Sequence, residues 1–546
     1  MSRMRMAVVA VLAAMVIATP AYQPAKAGPD VVEMVHAWWT EPVNMNPLVA
    51  SEGFAYTFNM LVFDGLTELD EENVAQPALA ERWVISPDGK RYTFFLRKDV
   101  TWQDGRPFTA DDVVFTVYSH LNPKVTSSFY RSYEALEGFD RLTNRANPAS
   151  PDSLPVKPVV ALDKHTVVFR LRYPYAPFLS ILQTYRGAIA PRHLLEGKNI
   201  NDAEFNRQPV GTGRFRLVEW RRGDRAVFEA NPRYYRGRPQ IDRLIIRVIP
   251  DRNVAVEELK KGTVHFVYSA PFEARAEMER HPGIKNIFKP APNWGGIILN
   301  FRNEIFQDRR VRQALMYAID KNAMIRVVFR NYASVATGPI TPAHGSWAFN
   351  STIKPYDFSR ERARALLAEA GWRPGPDGIM QKGGKRLSFL LSAAKREDYE
   401  SMVTFVQEQW RRAGIEAKAD LASQIATADK MRRGSFDAVY TVPSGWPDPD
   451  VETTNYLHSR GPANTQGYAN PRVDELLERG RRLVTVKDRG PVYHELQKVL
   501  ADDVPWIWLV WIPWMHSWSA KFTGYTGGPA FPVGNYYSLH RVRPVR

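Results

Sequence analysis

The loop Ser444-Gly445-Trp446-Pro447-Asp448-Pro449-Asp450 puts one indole and two carboxylates on a segment that two prolines stiffen. Residues of these types can hold a ligand by stacking on its apolar face and by pairing with a cation, and a stiff loop loses little entropy in doing so. Asp448 and Asp450 can equally cap the helix that follows, so both readings stand. Further large aromatics mark breaks in regular structure: Trp38, Trp39, Phe54, Tyr56, Trp294, Trp347 and Tyr468. Core packing accounts for any one of them. Their position in loops after strands strengthens the case for ligand contact, because ligands of open α/β sheets sit beyond the carboxyl ends of strands.

Catalytic patterns are scarce. The 11 histidines form no HxxxH or HExxH pair, and no GxSxG elbow occurs. With no cysteine, the chain has no disulfide, thiolate nucleophile, Cys-ligated zinc or lipidated N-terminal cysteine. Asp111 and Asp112 are a possible acid–base or metal pair, but directly after Thr109 they read as first-turn acids of a capped helix. Gly378 through Lys385 departs from a phosphate loop, since Gly384 stands at the lysine position and Arg386 follows Lys385; Lys382-Gly383-Gly384-Lys385 reads as a hairpin turn. Gly211-Thr212-Gly213 lacks the third glycine and the following helix of a nucleotide motif and reads as a turn. Two carboxylates far apart in sequence suffice for glycoside hydrolysis, so a secreted hydrolase stays as an alternative.

The elements that must position these residues alternate. Trp83-Val84-Ile85, the turn Ser86-Pro87-Asp88-Gly89-Lys90 and Tyr92 to Leu96 read as a hairpin. The helix from Asp251 ends at Gly262, that from Glu361 at Gly371, and that from Met402 at Gly414. Around 301–319 the spacing predicts an amphipathic helix with Val311, Leu315, Ala318 and Ile319 inward and Arg309, Arg310, Arg312 and Gln313 largely outside that stripe. Phe436 to Tyr440 is a strand leading into the Trp446 loop, and Trp506 to Trp518, broken by Pro505 and Pro513, reads as extended segments. Helix alternating with strand argues for α/β architecture.

The N-terminus has the layout of an export signal: Arg3 and Arg5, an apolar run from Met6 to Thr19, then Ala25-Lys26-Ala27. That run of 14 residues falls short of the roughly 20 that span a bilayer. Removal after Ala27 takes away Arg3, Arg5 and Lys26 and no acid, which lowers the formal charge of +15 to +12. The remaining 519 residues exceed one core, so two or three lobes are expected. The basic residues are scattered among acids with no stripe, which argues against nucleic acid as partner. The basic balance favours anionic groups on a ligand.

Several segments together resemble the extracytoplasmic solute-binding proteins, family 5, of ABC importers, whose members bind dipeptides, oligopeptides or nickel. They are Asp104-Gly105-Arg106-Pro107-Phe108-Thr109-Ala110-Asp111-Asp112, Val210-Gly211-Thr212-Gly213, the arginine-rich helix, Glu369-Ala370-Gly371-Trp372, Trp446-Pro447-Asp448-Pro449 and Tyr468 through Leu477, in the family's order. The resemblance implies an α/β periplasmic binding protein type 2 fold, with two lobes, a hinge and an extra subdomain inserted in the first lobe. Expected bounds are signal peptide 1–27, lobe I 28–66, inserted subdomain II 67–207, lobe I again 208–288, lobe III 289–505 and a lobe I return 506–546. It implies a receptor, not an enzyme: an unanchored periplasmic monomer that captures a peptide or peptide-like solute and delivers it to an inner-membrane ABC permease with separate ATPase subunits. No cofactor or resident metal is expected. An oligosaccharide, an opine-like conjugate or a metal complex is the alternative cargo, and a periplasmic chaperone the alternative of another class. Peptide-binding members carry, just ahead of the Asp-Pro step, an aspartate that pairs with the peptide α-amine. Here Gly445 or a neighbour takes that place, so Asp448 or Asp450 would have to substitute.

Overall fold

A computed structural model describes residues 31–545, apart from 52, 269, 444 and 527–533. The expected export signal lies outside the described residues. Two sheets organise the chain. The first has seven strands in the order Ile284–Lys289, Trp514–Ser519, Phe266–Tyr268, Glu33–Trp38, Arg243–Val248, Arg225–Ala230 and Phe215–Arg221. The second has six, in the order Ser334–Val335, Trp506–Trp511, Trp294–Leu299, Ala438–Thr441, Ser388–Ala394 and Glu416–Ala422. Helices cover them, as alternation requires.

Between the first-lobe segments sits an antiparallel four-stranded sheet, Ala80–Ile85, Arg91–Leu96, Thr166–Arg170 and Val159–Asp163, which includes the expected hairpin. Its helix Ala110–Leu121 is started by a capping box: the Asp112 carboxylate accepts the Thr109 backbone N–H at 2.9 Å. Asp112 is buried and also accepts from Arg192 N and Trp102 Nε1, so Asp112 is committed to structure. The chain re-enters the first lobe through Val210-Gly211-Thr212-Gly213. A Cβ at Gly211 would lie 1.7 Å from the Val62 carbonyl oxygen, so only glycine permits this close approach to the helix Gly53–Val62.

In the helix Arg309–Tyr317 the stripe Val311, Leu315 faces the core as expected, but Arg312 does not lie outside it. It is 3% exposed, and its guanidinium donates to the carbonyls of Phe306, Gln307, Asp503 and Val504 and to the Asp503 carboxylate at 2.6 Å. A planar fork of five donors can enter a core when each finds an acceptor, and the open carbonyls at the end of helix Val486–Asp503 supply them. Lys382 pairs with Lys385 across the expected hairpin turn.

The sheets are joined twice. Lys289 pairs with Trp514 on the first-lobe side and Trp294 with Trp511 on the second, so the crossings run side by side with Pro290, Pro292 and Pro513 in them. The return to the first lobe begins at Trp514, not at 506. Trp506–Trp511 is almost wholly buried and hydrogen-bonded in the second sheet, and Pro513, which has no N–H for a ladder, separates the two extended segments.

Candidate functional site

The Trp446 loop leaves the strand Ala438–Thr441 and runs into the helix Pro449–Leu457 beside the crossing strands. Gly445 N–H donates to Asn293 Oδ1 at 3.2 Å. A Cβ at Gly445 would lie 1.9 Å from the Pro292 carbonyl oxygen. No side chain, acidic or otherwise, fits there on this backbone. His344 is hydrogen-bonded to the Trp446 backbone, and burial holds its imidazole down to about 4, so it is neutral at ordinary pH.

Both acids expected as ligand groups are engaged within the second lobe. Asp448 is the N-cap of the helix, accepting Asp450 N–H at 2.9 Å, and takes two bonds from the buried Arg489 guanidinium at 2.7 and 2.8 Å. Asp450 is fully buried and accepts from Thr454 at 3.0 Å and from Arg481 at 3.1 Å; burial raises its carboxyl above the usual range, against the pull of Arg481. Capping and helix pairing therefore claim the lone pairs an amine would need. Arg481 also reaches toward Glu134 of the inserted subdomain at 3.9 Å, and its carbonyl accepts Ala176 N–H at 2.8 Å, so the loop is braced from both lobes.

Trp446 itself crosses between them. It is 3% exposed and packs within the first lobe's core cluster, with its ring 6.4 Å from that of Tyr185. The Arg186 guanidinium lies 4.4 Å from the centre of the Trp446 ring, 4.8 Å from Phe129 and 5.5 Å from Tyr56. Tyr56 is fixed by donating to the Ala50 carbonyl at 3.1 Å. An aromatic cage around a guanidinium is favourable because ring faces carry negative quadrupole.

The remaining aromatics divide. Trp39 and Phe54 are half-buried and meet edge to face at 5.1 Å, while Tyr268 stacks on Trp39 at 5.1 Å. Trp38 lies beneath, 2% exposed, with its indole N–H donated to Tyr536 at 3.0 Å. Trp294 is buried among Trp506, Trp508 and Tyr456. Trp347 backs Arg489 at 5.1 Å. Tyr468 packs on Phe301 and donates to Asp503 at 2.7 Å, within the core that holds Arg312. Trp38, Trp294 and Tyr468 thus serve burial, and the Trp38 indole N–H and the Tyr468 hydroxyl are both spent on bonds inside the fold.

Sequence reasoning missed Arg186, Tyr268 and Glu452. Glu452 stands one turn after Asp448 on the helix, is half-buried, and has no hydrogen-bond or ion-pair partner among the described residues. Burial pushes its carboxyl up to about 7, with Arg186 pulling the other way. As a first-turn acid it reads in sequence as an ordinary helix-dipole residue; only the i, i+4 spacing from Asp448 marks the shared face. Among the described residues no group of three His, Asp or Glu is placed to hold a metal ion.

Comparison with known proteins places this geometry. Residues 74–464 match the family model of bacterial extracellular solute-binding proteins, family 5. Protein XP55 of Streptomyces lividans is 31% identical over 494 residues, covering 89% of this chain and 85% of the relative. The oligopeptide-binding protein AppA of Bacillus subtilis is 28% identical over 480 residues, covering 86% and 84%. The structure of AppA with a nonapeptide superposes with a TM-score of 0.74 at 28% identity, over 94% of this chain and 99% of that one. NikZ of Campylobacter jejuni in complex with Ni(L-His) gives 0.77 at 27% identity, over 95% and 100%. Two lobes joined by paired crossings, with a sheet inserted in the first, are the type 2 binding-protein architecture, and the chain belongs to the bacterial extracellular solute-binding proteins of family 5.

Proposed function

We propose that this chain is the exported receptor of an ABC importer, taking a peptide or peptide-like solute between its lobes and handing it to a membrane permease whose ATPase subunits are separate chains. The observation that carries the reading is Trp446: a rigid second-lobe loop puts its indole against Tyr185 and Arg186 of the first lobe, so one contact surface is assembled only when the lobes are together. A solute lying against Trp39, Phe54, Tyr56 and Trp446 touches both lobes and favours the closed arrangement by its difference in affinity for the two. Apolar walls with few polar groups suit peptide side chains and the faces of sugar conjugates alike. The relatives' cargoes, a nonapeptide and a nickel–histidine complex, belong to the same chemical neighbourhood. In this reading the protein acts as a monomer without catalysis or lipid anchor, its leader removed near Ala27.

Native mass spectrometry of protein purified from its host's periplasm, followed by denaturing release, tests this. A stoichiometric intact peptide or conjugate is expected. Recovery of a cleaved solute that accumulates with time would replace the receptor by a hydrolase, and promiscuous retention of unfolded chains would replace it by a chaperone.

A further inference from the structure

A recess of about 800 Å³ opens on the first-lobe side of the molecule, and none of the residues that line it belongs to the second lobe. Three segments meet there: Glu68 to Pro77 of the inserted subdomain, the turn Arg236 to Gln240 between two strands of the seven-stranded sheet, and His540 to Arg543 near the C-terminus. Its four arginines are not equivalent. Arg236 pairs with Glu68 and donates to the Pro77 carbonyl at 2.6 Å, which pins the turn to the inserted subdomain. Arg238 pairs with Asp242, which also accepts the Val32 backbone N–H at 2.8 Å. Arg541 and Arg543 are exposed and have no carboxylate partner among the described residues. Their segment is nonetheless fixed. Val542 between them is fully buried, and Arg543 is paired with Thr523 in a short antiparallel ladder. Arg541 donates its Nε–H to His540 Nε2 at 3.3 Å, which turns its outer N–H edge away from the imidazole, and His540 rests against the Tyr234 ring at 6.0 Å. Glu68 and Asp242 are thus both engaged, and the recess keeps an excess of two positive charges whose mutual repulsion no neighbouring acid relieves.

We propose that this recess is a second binding site, separate from the cleft, in which Arg541 and Arg543 hold an anion carrying two or more phosphoryl groups. A guanidinium presents a planar fork of donors that matches phosphate oxygens two at a time, so two unpaired forks on one wall select for more than one phosphoryl group. The volume agrees, since it is in the range of pockets that enclose whole small molecules and far exceeds a single inorganic ion. Arg236 and Arg238, each neutralised by its own acid, frame the opposite wall and add no charge. Because only first-lobe and inserted-subdomain segments line it, the site is the same whether the lobes are apart or together. The phosphoryl cluster can belong to a free oligophosphate or to a lipid headgroup, and the two sources are separated below.

The test titrates the full mature protein with tripolyphosphate by calorimetry at about 0.15 M salt, where loose attraction between exposed charges is largely screened. Wild type is expected to bind one equivalent saturably. The double variant Arg541→Gln/Arg543→Gln should bind about 10-fold more weakly or less, the effect of losing two charge-assisted contacts. Arg432→Gln/Arg433→Gln removes the same charge from the helix Gln424–Arg433 of the second lobe and should leave the affinity unchanged. Thermal melting of both variants reports folding, and the wild-type titration needs neither. A second arm floats the protein with phosphatidylcholine vesicles with and without cardiolipin, whose headgroup bears two phosphates. Retention by the cardiolipin vesicles that Arg541→Gln/Arg543→Gln loses assigns the site to a lipid surface; tripolyphosphate binding without such retention assigns it to a free oligophosphate. Absence of saturable tripolyphosphate binding by wild type, or an equal loss in the two double variants, overturns the inference. Either result leaves the receptor reading untouched, since no residue of the recess belongs to the cleft surface around Trp446.

Discussion

The buried guanidinium of Arg489 grips Asp448 through two parallel bonds of 2.7 and 2.8 Å, tying the long helix Val486–Asp503 to the N-cap of the helix Pro449–Leu457. Tyr493 accepts a further bond from Arg489 at 3.0 Å, and the Gly480 carbonyl takes its Nε–H at 3.1 Å. Removing one member leaves the other charged and dry. Arg489→Ala is expected to cost about 3–5 kcal/mol in urea unfolding. Arg489→Lys recovers little of it, because an ammonium cannot reproduce the planar fork. Full recovery by lysine would show that charge alone matters there.

Gly445→Ala tests the loop's seat. The added methyl meets the Pro292 carbonyl, and the loop must shift to relieve it. The expected loss of stability is about 1–3 kcal/mol by overpacking. Trp446 fluorescence should change with it, since the indole rides on the next residue. An unchanged melting temperature would contradict the close approach.

Glu452 gives a pH dependence of defined sign. Its carboxyl ionises near 7 in the folded protein against an ordinary value of 4.5. The folded state therefore binds the proton more tightly than the unfolded chain, so the stabilising contribution is complete below the unfolded value and is lost as pH rises toward 7. The slope approaches about 1.4 kcal/mol per pH unit inside that window. Urea titrations of wild type and Glu452→Gln between those limits should diverge by about 1–3 kcal/mol in their change with pH. Parallel curves would place the carboxyl in water.

Lys321 has the opposite sign. Its ammonium is 3% exposed, has no hydrogen-bond acceptor among the described residues, and stands 5.8 Å from the Tyr356 ring. Burial lowers it to about 7 from an ordinary 10.5, with Asp357 opposing. Between those values the unfolded chain holds the proton and the folded one does not, so stability rises with pH across that range. Lys321→Met should raise the melting temperature at pH 7, by a stabilisation of about 1–2 kcal/mol. A lower melting temperature would reveal a partner for the ammonium.

Much of this was readable in the sequence because it is local. The Thr109-Asp112 capping box, the hairpin at Lys382–Lys385 and the glycine caps at Gly262 and Gly414 depend on residues within a few positions of one another. The Trp446 loop was legible as a stiff connection from strand to helix, from its two prolines. Which of its acids remained available was not, since that depends on Arg481 and Arg489 arriving from later helices. Arg186 lies on a single helical turn with no motif, and only the packing of two lobes brings Trp446 over it. Arg312 shows the same limit: helical periodicity sorts residues by polarity, whereas a guanidinium with enough carbonyls around it can be core.

The side-by-side crossings at 290–293 and 512–513 set the mechanics of the cleft. Two adjacent straps suppress twisting and leave one swing, and in a swing the displacement of any point grows with its distance from the axle. Gly445 leans on Pro292, at the axle itself, so the base of the Trp446 loop scarcely travels. The Arg481–Glu134 contact spans the lobes at 3.9 Å, so the same rotation breaks it. On the receptor reading, the base of that loop is a stationary anvil and the contacts reaching across to the other lobe are a gate, and substitutions can alter one without the other.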